Sequence, residues 1–420
     1  PVFYRHVVIK KMDSITVDTY ANDSAVVLHE RSTVKKYLLV YNDMSIGGIE
    51  KSIISLLNSI DYSMVEVDLL LLKKRGPLLK SIPKEVTIYE SGIQGNLNNS
   101  IIGYFHEVHS PIWRLRRLKS SVIGRLGKKN IPYEGAQISY WAKLVQRIDK
   151  EYDVAIAYVD WTFDYVINYV KADRKYFYIH VDYDKAINHI NKDKQLVKKA
   201  TGVFGVSKDC VDVLKNDFPE SKDKISVWKN VISVSHIKKE SNEKQPFKED
   251  QSTTKMLTVA RLSEEKGIDL CIEAAKYLSD QGIDFVWCFV GDGPLRTKLE
   301  QYAERLKISQ NLRFVGQTDN PYPYFKNCDI YVQLSRHEGY GYTLAEARIF
   351  GKPCIVSNID CFAEQIEQGK NGYLCDLDPV EAANLIIGLV KNKDLYEKIS
   401  KRILQETVNN EEALRVFYQL

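Results

Sequence analysis

The chain has 420 residues, of which 44% are hydrophobic and 27% charged, with a formal net charge of +4. That is too long for one ordinary core, too apolar for a disordered chain and too nearly neutral for charge alone to imply a nucleic-acid partner. The seven cysteines all lie in the second half and form no C-x-x-C pair, so they read as reduced thiols rather than a disulfide frame or zinc site. No H-x-x-x-H pair occurs among the eight histidines, and no metal site is expected. No apolar run reaches the roughly 18–20 residues of a membrane span. The opening PVFYRHVVIKK lacks the apolar centre of a secretory signal, which points to a cytoplasmic protein.

Residues 1–36 mix polar segments with short apolar runs (HVVIKK, SITVDTY, AVVLHE) and are expected to stand outside the main fold. The regular pattern begins at Tyr37: KYLLVYND predicts a short buried strand, and Gly47-Gly48 then opens a helix, IEKSIISLLNSI. VEVDLLLL, VTIYE, DVAIAY, RKYFYIH and TGVFGVS predict further strands, with helical patterns between most of them. Strands alternating with helices imply a parallel sheet covered on both faces. The polar stretch KKESNEKQPFKEDQSTT, residues 238–254, reads as a surface connection between domains. The rhythm restarts with strands KMLTVA, FVWCFVG, LRFVG, DIYVQL, KPCIVS and GYLC, separated by helices near 267–281, 294–306, 342–351 and 378–391. The expected architecture is therefore α/β, with Rossmann-like domains over 37–235 and 255–395 and a helical segment, 396–420, crossing back to the first.

Open parallel sheets bind ligands beyond the carboxyl ends of their strands, so the candidate sites are sought there. Gly47-Gly48 lets backbone approach a ligand and precedes a helix whose free N–H groups suit an anion; the same pair also suits a tight strand-to-helix turn. It is not the G-x-G-x-x-G fingerprint, so no nicotinamide cofactor is indicated. Arg261 and Lys266, in VARLSEEKGI, follow a strand and offer two cations to a diphosphate leaving group without metal; with Glu264 and Glu265 beside them they also fit a solvated charged turn. VGDGPL brings Gly291 and Gly293 to a strand end, with Pro294 suited to a first helical turn, as a pocket floor or a structural turn.

The run EGYGYTLAE, residues 338–346, is the most specific of these signals. Gly339, Tyr340, Gly341, Tyr342 and Thr343 supply a glycine-freed loop and the first amides of a helix, where a phosphate would sit. Glu346, about one turn into that helix, can reach a ribose diol, and Glu338 can accept hydrogen bonds from sugar hydroxyls; the alternative is a loop with two solvated glutamates. His180 ends the strand RKYFYIH, with Asp182 beyond it, and is either a packing residue or a group that bonds a sugar hydroxyl or stabilises developing charge. Residues 110–130, SPIWRLRRLKSSVIGRLGKKN, hold seven cations, no acid, and interleaved apolar residues. They predict a basic amphipathic helix that rests on anionic lipid or packs on its own domain.

Together, R-x4-K at 261–266, V-G-D-G-P at 290–294 and E-x7-E at 338–346, followed by FGKPCIVS and NGYLC, resemble glycosyltransferase family 4 over about residues 37–400. The resemblance implies the GT-B fold, two Rossmann-like domains with parallel sheets facing a central cleft. It also implies retaining, metal-independent transfer from a nucleotide-activated sugar. On it, Arg261 and Lys266 hold the diphosphate, Glu338 the donor sugar and Glu346 the ribose. Gly47-Gly48 approaches the phosphates and the acceptor side, and His180 stands near the donor sugar. The leaving phosphate deprotonates the acceptor. The donor is expected to be a UDP-sugar rather than a GDP-sugar, with no further cofactor. The acceptor is expected to be a glycan, lipid-linked, of a cell-surface polysaccharide pathway, met at the inner face of the plasma membrane. Residues 1–36 have no counterpart in the family. The segment NIDCFAEQI lacks the Gly-Gly pair that many members carry before a glutamate, although Glu364 remains. Two rival readings are a same-fold nucleotide-sugar epimerase and a non-catalytic partner subunit.

Overall fold

The structure is a computed structural model that describes residues 34–94, 108–125, 139–180, 190–242, 245–250, 252–406 and 410–420. The chain divides into two units, residues 1–34 and 35–420, and both sheets lie in the second. The first sheet has seven strands: β1 (Lys35–Tyr41), β2 (Val65–Leu71), β3 (Thr87–Glu90), β4 (Tyr152–Ala157), β5 (Ala172–Ile179), β6 (Gly202–Gly205) and β7 (Ile225–Val227). The second has six: β8 (Thr254–Val259), β9 (Phe285–Val290), β10 (Leu312–Gly316), β11 (Ile330–Gln333), β12 (Cys354–Ser357) and β13 (Tyr373–Cys375). The orders are β3-β2-β1-β4-β5-β6-β7 and β10-β9-β8-β11-β12-β13, and every pairing is parallel.

Strands covered on both faces must be apolar throughout, which is why Tyr37 to Val40 and Val286 to Val290 read as unbroken hydrophobic runs and are buried. β7 escapes sequence reading because three residues, ISV, carry too little pattern. Each order reverses once, between β1 and β4 and between β8 and β11. Those two switch points open the crevices in which such sheets hold ligands.

The chain leaves the first sheet after β7 through helix α6 (Val234–Glu240). Ile237 and Phe247 pack with Phe325 and Tyr331 of the second domain. Two apolar residues thus anchor part of the stretch that its polar composition marks as a surface connection. Near the end of the chain, α13 (Lys393–Gln405) buries Ile399 and Ile403 in the second core, whereas α14 (Glu411–Gln419) packs on the first. The Phe417 ring stacks on Tyr37 at 4.5 Å, the Tyr37 hydroxyl donates to the Phe417 carbonyl at 2.9 Å, and Trp228 Nε1 donates to Ala413 at 2.9 Å.

The two domains meet where α1 (Gly48–Leu57) faces α10 (Tyr342–Ile349). Glu50 through Leu57 are all buried, since the first sheet covers one side of α1 and the second domain another. Lys51 Nζ donates to both carboxylate oxygens of Glu346, at 2.8 and 3.0 Å, and the two side chains are 9% and 0% exposed. The Tyr322 hydroxyl also bonds the carboxylate. The Tyr342 hydroxyl lies within hydrogen-bond reach of Ser55 Oγ and of the Lys51 and Val231 carbonyls. A buried ion pair costs desolvation, and breaking one half strands the other charge. Lys51→Met should therefore lower the stability read by urea unfolding by about 3–5 kcal/mol, and Lys51→Met with Glu346→Leu should recover most of it. A single variant of unchanged stability would show that the pair does not close the seam.

Candidate functional site

The second-domain half of the site is built on backbone contacts. Arg261 follows β8 and is exposed. The turn that carries it is pressed against the turn after β9: Leu262 N–H donates to Asp292 O at 3.0 Å, and Leu295 N–H to Leu262 O at 3.0 Å. Gly291, at φ +141°, and Gly293 are needed there because a side chain on either would collide with the Ala260 or Leu262 carbonyl. These glycines support the arginine turn. From β11, Arg336 clamps the same loop by bonding Asp269 at 2.9 and 2.6 Å and the Glu264 carbonyl at 2.7 Å. Ser263 donates to Glu265 at 2.6 Å within the turn.

Lys266 Nζ then meets Glu338 Oε1 at 2.8 Å. Gln333 Nε2 and Ser335 Oγ donate to the same oxygen at 2.6 and 3.0 Å. Gln333 is fixed in turn by Tyr331 and Thr343, which donate to its Oε1 at 2.6 and 2.9 Å. Glu338 thus sits in a set of donors that orients its carboxylate beside a cation at the strand end. Past Gly339, Gly341 takes φ +77°, and a side chain on it would collide with the Phe362 ring. Gln365 Nε2 donates to Tyr340 O at 2.6 Å. The segment without the Gly-Gly pair therefore packs on the glycine loop, and its Glu364 accepts from the Lys208 amide of the first domain at 3.3 Å. The amides of Tyr342 and Thr343 precede the first bond of α10, from Leu344 N–H to Gly341 O at 3.0 Å. The Tyr342 side chain is committed to the seam, as is Glu346. A ribose diol gains Glu346 only by displacing Lys51.

On the first domain, Gly47 caps α1 in extended conformation, φ −165°. Nothing lies within 4 Å of where a Gly48 side chain would point, so packing does not demand that glycine and the space is free for a close ligand. The Glu50 carboxyl folds back over Gly47 and lies within electrostatic reach of Arg261. This interaction brings the glycine turn of one domain opposite the cation turn of the other. His180 ends β5 with its ring 4.1 Å from Tyr178 and stacked on Tyr158 at 5.5 Å. Burial pushes its pKa down to about 3, so the imidazole is neutral at physiological pH. That favours hydrogen bonding to a hydroxyl over charge stabilisation by a cation. His180 Nε2 and the Tyr158 hydroxyl are buried without a partner among the described residues. Asp182 lies outside them.

The structure thus gathers Arg261, Lys266, Glu338 and the start of α10, and sets Gly47-Gly48 opposite. Sequence reasoning missed Glu50, Lys51 and Tyr158. Two adjacent charges in the otherwise apolar IEKSIISLL were the available signal for the first two. A cavity of about 700 Å³ lies at the hinge beside the glycine loop, where Tyr340, Lys229, Asn230, Arg348, Glu364 and Asn410 line it. All seven cysteines are buried free thiols. Among the described residues no three histidine, cysteine or carboxylate groups gather as metal ligands, and no helix is long and apolar enough to cross a membrane.

The basic segment is helix α2 (Pro111–Arg125); residues 126–130 lie outside the described ones. Trp113 packs against the first core beside Trp141, but several of the other apolar residues face outward. Ile112, Leu115, Leu118 and Val122 are 64, 67, 42 and 52% exposed, while Arg117 is 7% exposed. Arg114 Nε donates to Val108 O at 2.6 Å, and Arg116 stacks over Trp113 at 4.4 Å.

The sequence family described as glycosyl transferases group 1 matches residues 239–405. N-acetyl-alpha-D-glucosaminyl L-malate synthase of Bacillus anthracis is 25% identical over 209 residues, 49% of this chain and 54% of that protein. UDP-Gal:alpha-D-GlcNAc-diphosphoundecaprenol alpha-1,3-galactosyltransferase of Escherichia coli is 30% identical over 154 residues, 36% of this chain and 40% of that protein. The chain thus matches about half the length, or less, of these curated relatives. Among solved structures, Anabaena Alr3699/HepE in complex with UDP and glucose superposes with a TM-score of 0.63 at 15% identity, over 92% of this chain and 99% of its own. Residues 239–405 are thus similar to the group 1 glycosyl transferases, and the described chain has a two-domain GT-B fold.

Proposed function

We propose that the chain is a retaining, metal-independent glycosyltransferase that moves a sugar from a UDP-sugar to a glycan acceptor, lipid-linked, in cell-surface polysaccharide synthesis. The observation that carries the reading is the arrangement of Arg261 and of Lys266 paired with Glu338 at the second switch point, opposite the Gly47-Gly48 turn at the first. As the bond from the anomeric carbon to the diphosphate breaks, negative charge develops on the leaving oxygen. Arg261, Lys266 and the free amides that open α1 and α10 neutralise it. Glu338 orients the sugar by accepting from its hydroxyls, and neutral His180 bonds another hydroxyl. The acceptor oxygen attacks from the face the diphosphate leaves, and its proton passes to the leaving phosphate oxygen.

UDP is favoured as the nucleotide because the Anabaena structure holds UDP and the Escherichia coli relative's name specifies UDP-Gal. That relative's name also specifies a diphosphoundecaprenol acceptor, and the outward apolar row of α2 suits a lipid surface. The enzyme then works at the cytoplasmic face of a membrane, with α2 dipping Ile112, Leu115, Leu118 and Val122 beneath the headgroups and Lys119 among them.

Lys266→Ala should lower kcat by about 100- to 1,000-fold, the usual cost of one donor to developing charge. Turnover by the unaltered chain should survive EDTA. Loss in EDTA restored by magnesium or manganese would contradict the cation assignment. Product analysis by proton NMR should show the donor's anomeric configuration in the product. Sugar interconversion without acceptor would instead indicate the epimerase, and no turnover at all a silent partner.

Leu115→Glu with Val122→Glu should abolish sedimentation with vesicles of phosphatidylglycerol and phosphatidylcholine while leaving UDP binding intact. Binding of the unaltered chain should weaken as salt rises, since each cation near such a surface contributes about 1 kcal/mol before screening. Equal sedimentation of variant and parent would remove α2 from the membrane account.

A further inference from the structure

Glu50 occupies the place where the proposed donor's charge would arrive. It lies in the first turn of α1, three residues beyond Gly47, and is 9% exposed. Acidic residues in a first turn are common because the helix dipole favours them, and most lie in solvent. This one is buried at the domain seam and turned back along the chain. A side chain on Gly47 would strike its carboxyl group. The carboxyl bonds its own backbone N–H and the Tyr41 hydroxyl, so it already covers one first-turn amide that a phosphate would use.

The charged and titratable groups that face it are Tyr41 from β1, Asp43 from the turn after β1, and Arg261 from the second domain. Asp43 itself accepts from Arg75 Nε at 3.1 Å. Burial, with a smaller push from Asp43, outweighs these hydrogen bonds and the pull of Arg261, and holds the Glu50 pKa near 7. Without ligand, the group therefore changes charge close to neutral pH. An ionised carboxylate and a diphosphate cannot share this volume without strong repulsion in a partly desolvated site. A neutral carboxyl has an O–H to offer instead.

We infer that Glu50 is a donor-positioning residue that meets the diphosphate in its neutral form, its carboxyl O–H donating to a phosphate oxygen while Tyr41 bonds the carboxyl's other oxygen, so that the chain takes up a proton from solvent as nucleotide binds. The inference rests on the donor reading above and adds to it a residue and a proton. The proton stays on Glu50 and is not transferred. It is released when the nucleotide leaves.

Titration calorimetry with UDP at pH 8, repeated in buffers of different ionisation enthalpy, reads the proton directly. The unaltered chain should take up about one proton per UDP, because the free group is mostly ionised at that pH and the bound group is not. Glu50→Gln keeps an N–H donor in the same place, so it should still bind UDP with almost no uptake. Equal uptake in the two proteins, or none in the unaltered chain, overturns the inference. The second outcome would mean that Glu50 stays ionised and swings away. No UDP binding by the unaltered chain would overturn the donor reading instead, which keeps the two failures apart.

Thermal unfolding gives an independent check on the group itself. A carboxyl with its folded pKa raised contributes stability below its ordinary carboxylate range and loses it as pH rises through the folded value, here near 7. Glu50→Gln should therefore be more stable than the parent at pH 8, with the advantage vanishing near pH 5. A constant difference across that range would show that Glu50 does not titrate in this window and would overturn the inference.

Discussion

The buried pair between Lys51 and Glu346 sets the geometry on which the rest depends. It fixes α1 of the first domain against α10 of the second, and both helices begin at glycine turns. Because each helix follows a strand at a switch point, clamping them together directs two sets of free backbone amides into one cleft. The pair also consumes a carboxylate that its place in the E-x7-E run marks for ribose. Burial pushes the Glu346 pKa up, and Lys51 and Tyr322 oppose that push. On the proposed function, nucleotide binding and domain contact draw on the same side chain, and a ribose that takes Glu346 must loosen the seam.

Charge is distributed unevenly across the cleft. The second domain contributes Arg261 and Lys266, the latter neutralised in the resting state by a Glu338 whose one oxygen accepts from Lys266, Gln333 and Ser335. The first domain contributes glycine backbone, a neutral imidazole and Glu50, which answers Arg261. Lys266 is thus paired with Glu338, whereas Arg261 is exposed and only within electrostatic reach of Glu50. On the proposed function, Glu338 turns to the sugar and Glu50 takes a proton.

Much of this was legible in the sequence, for identifiable reasons. Fully buried parallel strands leave unbroken apolar runs, so both sheets could be read from segments such as KYLLVYND and FVWCFVG. The spacing of Arg261, Lys266, Glu338 and Glu346 pointed to a candidate site in the second domain, and its parts lie in the turns after β8 and β11, which are neighbours in the sheet. Contacts across the seam left no such trace. Lys51 and Glu346 are 295 residues apart, and nothing in local pattern pairs them. Gly291 and Gly293 suggested a ligand floor, but the space they leave is filled by the Ala260 and Leu262 carbonyls. In α2 the alternation of cations and apolar residues was visible, yet only packing shows that Arg117 turns inward and Leu115 outward. Nothing in the local sequence sets Glu50 apart from an ordinary first-turn acid; only its burial over Gly47 does.

The account turns on one donor bridging both switch points, and a crystal structure with UDP bound tests that directly. The diphosphate should lie within hydrogen-bond distance of Arg261 and Lys266 on one side and of the Gly47-Gly48 amides on the other, with Lys51 drawn away from Glu346 by the ribose. A diphosphate held by one domain alone, or seated in the hinge cavity beside Lys229 and Arg348, would contradict it.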